Sequence, residues 1–204
     1  MNRKDHWENI YKTKSPADVS WYQPKPDISI NLIEKYAPSK ISPLIDVGGG
    51  ASTLPDHLLQ QGYKNISVLD LSSNALEHSK KRLGNNANSI TWVVSDVTTF
   101  SSTKPYSLWH DRAVFHFLTD ETDRKKYAAI LNQSVNIGSY IIIAAFAIGG
   151  PTKCSGLEIV QYDETKLKKQ LGEHFAFVEK VIEKHITPSG NEQAFGYYVF
   201  KKIS

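Results

Sequence analysis

The 204 residues carry a formal charge of +3, with 40% hydrophobic and 22% charged side chains, which suffices for one compact core and is too little for two ordinary domains. The basic residues fall in short clusters inside helical patterns (Lys80 to Arg82, Arg124 to Lys126, Lys166 to Lys169), so they read as solvated helix faces and not as a stripe for nucleic acid. The longest apolar run, Tyr140 to Ile148, is far short of a membrane span, the opening MNRKDHWENI lacks an apolar leader, and the single Cys154 excludes an internal disulfide and a thiolate zinc site. The expectation is a metal-free cytoplasmic protein with no membrane or nucleic-acid partner.

Residues 1 to 40 hold two amphipathic helical patterns, one on Trp7, Ile10 and Tyr11 and one on Ile28, Leu32, Ile33 and Tyr36, separated by SPADVSWYQPKP. They are expected to form an N-terminal helical cap, or lid, over a single domain spanning residues 41–204. From residue 43 short β-branched runs alternate with helical patterns. PLIDVG reads as a strand, and Thr53-Leu54-Pro55 opens a helix with a hydroxyl cap and a proline in its first turn, ending at Gly62. NISVLDLS is the second strand, followed by a helix from about Ser73 to Leu83 that Gly84 stops. SITWVVSD and YSLWHDR are the third and fourth strands. A helix capped by Thr119 or Thr122 leads to the fifth, GSYIIIAAFA, which is apolar on both faces. After a short helix in DETKLKKQLG, the stretch FAFVEKVIEKHITPSGNEQAFGYYVFKK reads as two long strands about a Pro-Gly turn. Two-faced apolar strands alternating with helices predict an α/β fold with a parallel sheet covered on both sides, closed by an antiparallel hairpin.

Gly48, Gly49 and Gly50 follow the first strand, where a glycine-rich turn and a helix N-terminus can present backbone N–H groups to a ligand. A phosphate-binding P-loop needs a lysine that is absent between Asp46 and Gln61. The dinucleotide fingerprint fits Gly48 and Gly50 but fails at its last position, Thr53. What remains is a D-x-G-x-G turn. Asp46, Asp70 and Asp96 each close a predicted strand, so all three share the sheet edge at which open α/β sheets bind ligands. A single Asp there is often only a turn or helix cap. Three in register suggest more: the acid after the second strand suits ribose hydroxyls, and the acid after the third suits the exocyclic amine of adenine. That combination favours an adenosyl methyl donor over a nicotinamide cofactor.

With these residues in view, the sequence resembles the class I S-adenosylmethionine-dependent methyltransferases from residue 40 to 204. LIDVGGGAST stands for the family's glycine-rich first motif, VLDLS for its ribose-binding acid, VVSDV for its adenine-binding acid and YSLWHDRAVFHFL for its fourth-strand motif. The combination of SWYQ, WHDRAVFHFL, GGPTKCSGL and HITPSGNEQAFGY is similar to a bacterial-type subgroup. The resemblance implies a Rossmann-like seven-stranded mixed sheet with helices on both faces, with S-adenosyl-L-methionine as cofactor and S-adenosyl-L-homocysteine as product. It puts Gly48, Gly49 and Gly50 against the methionine part, oriented by Asp46, with Asp70 on the ribose, Leu71 packed on adenine, and Asp96 with the Val97 backbone on the adenine edge. Trp21 is expected to cover the donor from the lid.

Where the family has an acid near the start of the fourth strand this chain has Ser107, so the acid expected at the donor, and as first choice of base, is Asp111, with His116 second. Arg112, Tyr22 and Cys154 are the expected substrate contacts, Arg112 either holding an anionic substrate or pairing with Asp111. The favoured acceptor is a small molecule reached through the cap, with a protein lysine as the alternative. The N-P-P-Y type of motif of nucleobase amino methyltransferases is absent, and one cysteine argues against arsenic methylation. An NAD(P)-dependent reductase leaves Asp96 and the terminal hairpin unexplained, whereas a non-catalytic module that binds the methyl donor would need the same residues.

Overall fold

The structure, a computed structural model, describes residues 3–204. Helices α1 (Arg3–Thr13) and α2 (Asp27–Tyr36) come first. Then β1 (Leu44–Val47), α3 (Leu54–Gln60), β2 (Ile66–Asp70), α4 (Ser73–Leu83), β3 (Ile90–Val94), β4 (Tyr106–Arg112), α5 (Glu121–Ser134) and β5 (Val135–Phe146) alternate along the chain. A two-residue ribbon, β6 (Lys153–Cys154) with β7 (Leu157–Glu158), leads to α6 (Glu164–Leu171) and the closing pair β8 (Phe175–Ile186) and β9 (Glu192–Lys202). The seven long strands form one sheet in the order β3-β2-β1-β4-β5-β9-β8, parallel except that β9 runs antiparallel to both of its neighbours. This is the expected mixed sheet with its terminal hairpin, β9 inserted between β5 and β8.

Burial explains which strands are central. All side chains of β1 and β2 are buried, and so is the run Ile141 to Phe146 of β5, whose residues alternate between two cores. Ile142, Ala144 and Phe146 meet Ile30, Ile33, Leu54, Leu58 and Leu76 from α2, α3 and α4. Ile141, Ile143 and Ala145 meet Tyr127, Leu131, Leu167 and Leu171 from α5 and α6. Each layer is therefore sealed by helices, as an all-buried parallel strand requires.

Two expected helix caps differ in detail. At α3 the hydroxyl that accepts the Leu54 N–H is Ser52, because Thr53 turns its hydroxyl away to donate to the Gln23 carbonyl. At α5 the cap is Asp120, whose carboxylate accepts the Thr122 N–H at 2.7 Å and sits favourably at the helix N-terminus.

The two N-terminal helices do different things. Helix α2 is a wall of the first core: Ile33 is fully buried, Tyr36 packs on Tyr140 with ring centroids 4.6 Å apart, and Lys35 pairs with Glu179 of β8. A polar seam also holds it. His110 of β4 lies between the Asp46 carboxylate at 2.7 Å and the Ser29 hydroxyl of α2 at 2.9 Å, all three buried. Helix α1 instead crosses the sheet edge and packs against α4. If α2 is part of the core, Ile33→Ala should cost about 2–5 kcal/mol of unfolding free energy in a denaturant titration. A cost well under about 1 kcal/mol would mean that α2 is merely laid on the surface.

Candidate active site

The C-terminal ends of β1, β2 and β4 converge with the loop after β3 on one sheet edge, and the glycine turn lies at its centre. The protein itself explains why three glycines stand there. A Cβ on Gly48 would overlap a Val114 methyl, one on Gly49 would overlap Asp46 Oδ2, and one on Gly50 would sit 2.6 Å from Asp70 Oδ2. Gly48 also has φ of +70°, a conformation that strains any other residue. The backbone thus runs against two carboxylates, and its outer side is left open to the cleft.

A cleft opens there. Of the residues expected from sequence, Trp21, Gly48, Asp70, Leu71, Asp96, Val97, Arg112 and Cys154 line it. An adjoining cavity of about 560 Å³ is lined by Tyr22, Asp46 and Gly49 and shares Gly48, Trp21 and Arg112 with the first. Burial pushes the Asp70 carboxyl up to about 7, against the pull of the Ser72 N–H, and the nearby Asp46 and Glu8 carboxylates push it the same way. Asp46 keeps one buried oxygen, Oδ2, without a hydrogen-bond partner.

The cover of the cleft comes from α1, which contributes Arg3, Trp7 and Tyr11 to its walls. Two pins hold this helix. Glu8 accepts hydrogen bonds from the Ser73 and Asn74 N–H groups and the Ser72 and Ser73 hydroxyls at the start of α4. Burial alone would raise its carboxyl, but these donors hold it below the usual value. Arg3 pairs with Asp123 at 2.8 Å and approaches Asp96 at 3.6 Å. Trp7 then stands edge-on to both Trp21 and Phe117, and Trp21 donates its indole N–H to the Tyr11 hydroxyl. Glu8 gave no signal in the sequence, since the donors it meets lie more than sixty residues away. Phe195 of β9 was equally hidden, although it lines the same cleft.

Three expected residues line neither cavity: Gly50, whose Cα side is filled by Asp70 and Ala75, and the two residues expected to act on the acceptor. Asp111 was expected to reach an acceptor from the end of β4, but strand alternation turns it to the α5 face, fully buried, where the Tyr127 hydroxyl donates to it at 2.7 Å and the Val114 N–H at 2.9 Å. Burial pushes its carboxyl up to about 6. His116 is also fully buried, with Phe117, Phe146 and Phe195 around its ring, and burial followed by the Arg112 charge lowers it to about 3. Both brace the turn after β4, in which Ala113 is held at φ of +72°.

No family model matches the chain. The eEF1A lysine and N-terminal methyltransferase of Mus musculus is 26% identical to it over 94 residues, 46% of this chain and 13% of that protein. The Bos taurus protein of the same name is 20% identical over 190 residues, 93% of this chain and 26% of that protein. The chain therefore spans about a quarter or less of the length of these relatives. Among solved structures, the N-methyltransferase NodS of Bradyrhizobium japonicum, in complex with S-adenosyl-L-homocysteine, superposes with a TM-score of 0.75 at 14% identity over 100% of both chains. The 1,6-didemethyltoxoflavin-N1-methyltransferase of Burkholderia thailandensis, with 1,6-didemethyltoxoflavin and S-adenosylhomocysteine bound, superposes with a TM-score of 0.72 at 14% identity over 98% of this chain and 87% of that one. The fold is that of the S-adenosylmethionine-dependent methyltransferases.

Two expected outcomes follow from this geometry. Because the folded state holds the Asp70 proton more tightly than an unfolded chain does, the wild type loses stability as the pH rises from about 4 to about 7. Asp70→Asn removes that slope, so relative to wild type the variant should gain on the order of 1–4 kcal/mol between pH 4 and pH 8 in denaturant titrations; parallel pH profiles would contradict the buried, proton-binding Asp70. Asp111→Asn disturbs the Tyr127 contact and should lower the melting temperature while leaving S-adenosylhomocysteine affinity per folded molecule unchanged in calorimetry. A loss of affinity without a loss of stability would return Asp111 to the binding site.

Proposed function

We propose that this chain is an S-adenosyl-L-methionine-dependent methyltransferase acting on a small molecule, releasing S-adenosyl-L-homocysteine. The observation that carries the reading is the convergence of Asp70, Asp96 and the Gly48–Gly49 backbone on one cleft at the switch point of the sheet, under an aromatic cover. The residues present fit the donor. Asp70 would accept from the ribose hydroxyls, and Leu71 with Val97 would pack on adenine beside Asp96. Asp46 lines the adjoining cavity and keeps its buried Oδ2 without a partner beneath Gly49, so a cationic amino-acid end bound there would meet a carboxylate with unused acceptor capacity. When bound, the donor supplies an already activated methyl group on a sulfonium.

The chain's own part is then alignment and exclusion of water. Within the N-terminal region, α1 and the Trp21 segment act as the cap in this reading, closing over the cleft, while α2 belongs to the core. Apart from Asp70 and Asp96, which this reading gives to the donor, the titratable side chains at hand offer little basicity: burial pushes the Cys154 thiol up to about 11 and the Tyr11 phenol above its ordinary value, and Asp111 and His116 lie elsewhere. An acceptor must therefore arrive with its lone pair available, which favours a neutral amine over an alcohol. The cover over the cleft favours a small acceptor that enters past α1. A protein lysine is the second reading, supported by the name of the mammalian relatives and opposed by that cover.

Calorimetry should detect S-adenosylhomocysteine binding and no NADPH binding. Hydrogen bonds to a charged group contribute about 1.5–3 kcal/mol, so Asp70→Ala should weaken that binding by roughly 10- to 150-fold in a still folded chain. A methyl-labelled donor incubated with a panel of small amines and with cell protein then separates the two acceptor classes. Label in neither, with tight donor binding, would indicate a sensor and sink the catalytic reading.

A further inference from the structure

The guanidinium of Arg112 stands where the two cavities meet and lines both. Its Nε donates to the Tyr197 hydroxyl at 2.9 Å and its Nη1 to the Trp21 carbonyl at 3.1 Å, but Nη2, buried, makes no hydrogen bond. The neighbouring acid does not meet this need. Glu183 Oε2 stays 3.6 Å from Nη2, beyond hydrogen-bond range, and the same carboxylate already accepts from Gln23 at 2.6 Å and from Tyr197 at 3.1 Å. The Phe195 ring lies 4.5 Å from the guanidinium and fixes its plane.

A planar cation, held on two sides and left with one buried donor unused at the wall shared by the two cavities, is suited to receive a carboxylate. A phosphate dianion suits it less, because Glu183 already offsets part of the charge. We propose that Arg112 is the anchor for a ligand carboxylate in this site and so selects what binds there. The proposal rests on the methyltransferase reading. The carboxylate has two sources of the same chemistry, the amino-acid end of the donor or an acceptor carrying the group on an apolar body that Trp7, Trp21 and Phe117 would flank.

The test uses two variants of the whole chain. Arg112→Met removes the cation, and Arg112→Met with Glu183→Gln removes the pair, so that no lone carboxylate is left buried if the single variant fails to fold. Affinities are measured for S-adenosylhomocysteine, for 5′-methylthioadenosine, which lacks the amino-acid carboxylate, and for benzoate titrated by NMR into the S-adenosylhomocysteine-loaded protein. A loss of about 10- to 100-fold for S-adenosylhomocysteine with 5′-methylthioadenosine unchanged supports the proposal and assigns the donor's carboxylate. Unchanged S-adenosylhomocysteine with loss of benzoate binding supports it and assigns the acceptor's. No change in either, or equal losses for both nucleosides, overturns it. Should the wild-type chain bind neither nucleoside, the methyltransferase reading fails by itself, and benzoate binding to the bare wild-type and Arg112→Met proteins still decides for or against the anchor.

Discussion

At Gly49 and Gly50 the backbone passes so close to the carboxylates of Asp46 and Asp70 that no side chain fits between them, and the rest of the site is arranged around that contact. Two acids beside each other at the end of a sheet repel, and burial makes the repulsion costly. The fold divides the load. Asp46 is held by His110, which is held by Ser29, so the first carboxylate is tied through β4 to α2 and the first core. Asp70 is held by the Ser72 N–H at the start of α4 and is pushed towards its neutral form. A ligand that brings hydroxyl donors to Asp70 and a cation to Asp46 would relieve both strains together, which is why empty polar capacity at this edge reads as binding capacity.

The same helix that serves Asp70 also serves the cover. The N-terminus of α4 offers backbone N–H groups and a positive dipole end, and Glu8 of α1 takes two of them, from Ser73 and Asn74. Helix α1 is thus fastened at the helix end beside Asp70, the acid that would bind ribose. Arg3 fastens the far end to Asp123 and leans towards Asp96, which would sit at the adenine edge. The N-terminal end and the middle of α1 therefore lie beside residues of the proposed cofactor site.

Most of the architecture was legible in the sequence because it rests on local pattern. The buried runs LIDV, ISVLD and IIIAAF, each bounded by turn residues and helix caps, specify central parallel strands, and the final pair of long runs specifies the hairpin. The turn glycines and the acids Asp46, Asp70 and Asp96 were legible for the same reason. What failed was a question of facing. Asp111 and His110 are neighbours on β4, and which of them turns to α2 and which to α5 depends on pairing with β1, where Asp46 is opposite His110. The sequence gives alternation but not its phase relative to the layers. Glu8, Tyr197 and Glu183 were illegible because their partners are distant in the chain, and a lone acid or tyrosine in an amphipathic segment carries no mark of that.

The far edge of the sheet carries a charge pattern that reaches the site. Strand β8 is long and unpaired on its outer side, the kind of edge that recruits a second strand. Along it Lys180 and Lys184 point to the α6 side, with Lys180 paired to Glu164, while Glu179 and Glu183 point to α2, paired with Lys35 and contacted by Gln23. Residues opposite one another in an antiparallel pair share a face, so a second copy of β8 added symmetrically would bring lysines towards lysines and glutamates towards glutamates. The acidic row also supports Arg112, since Glu183 belongs to it. The edge strand thus takes part, through Glu183 and its contact with Tyr197 of β9, in orienting the cation at the junction of the two cavities.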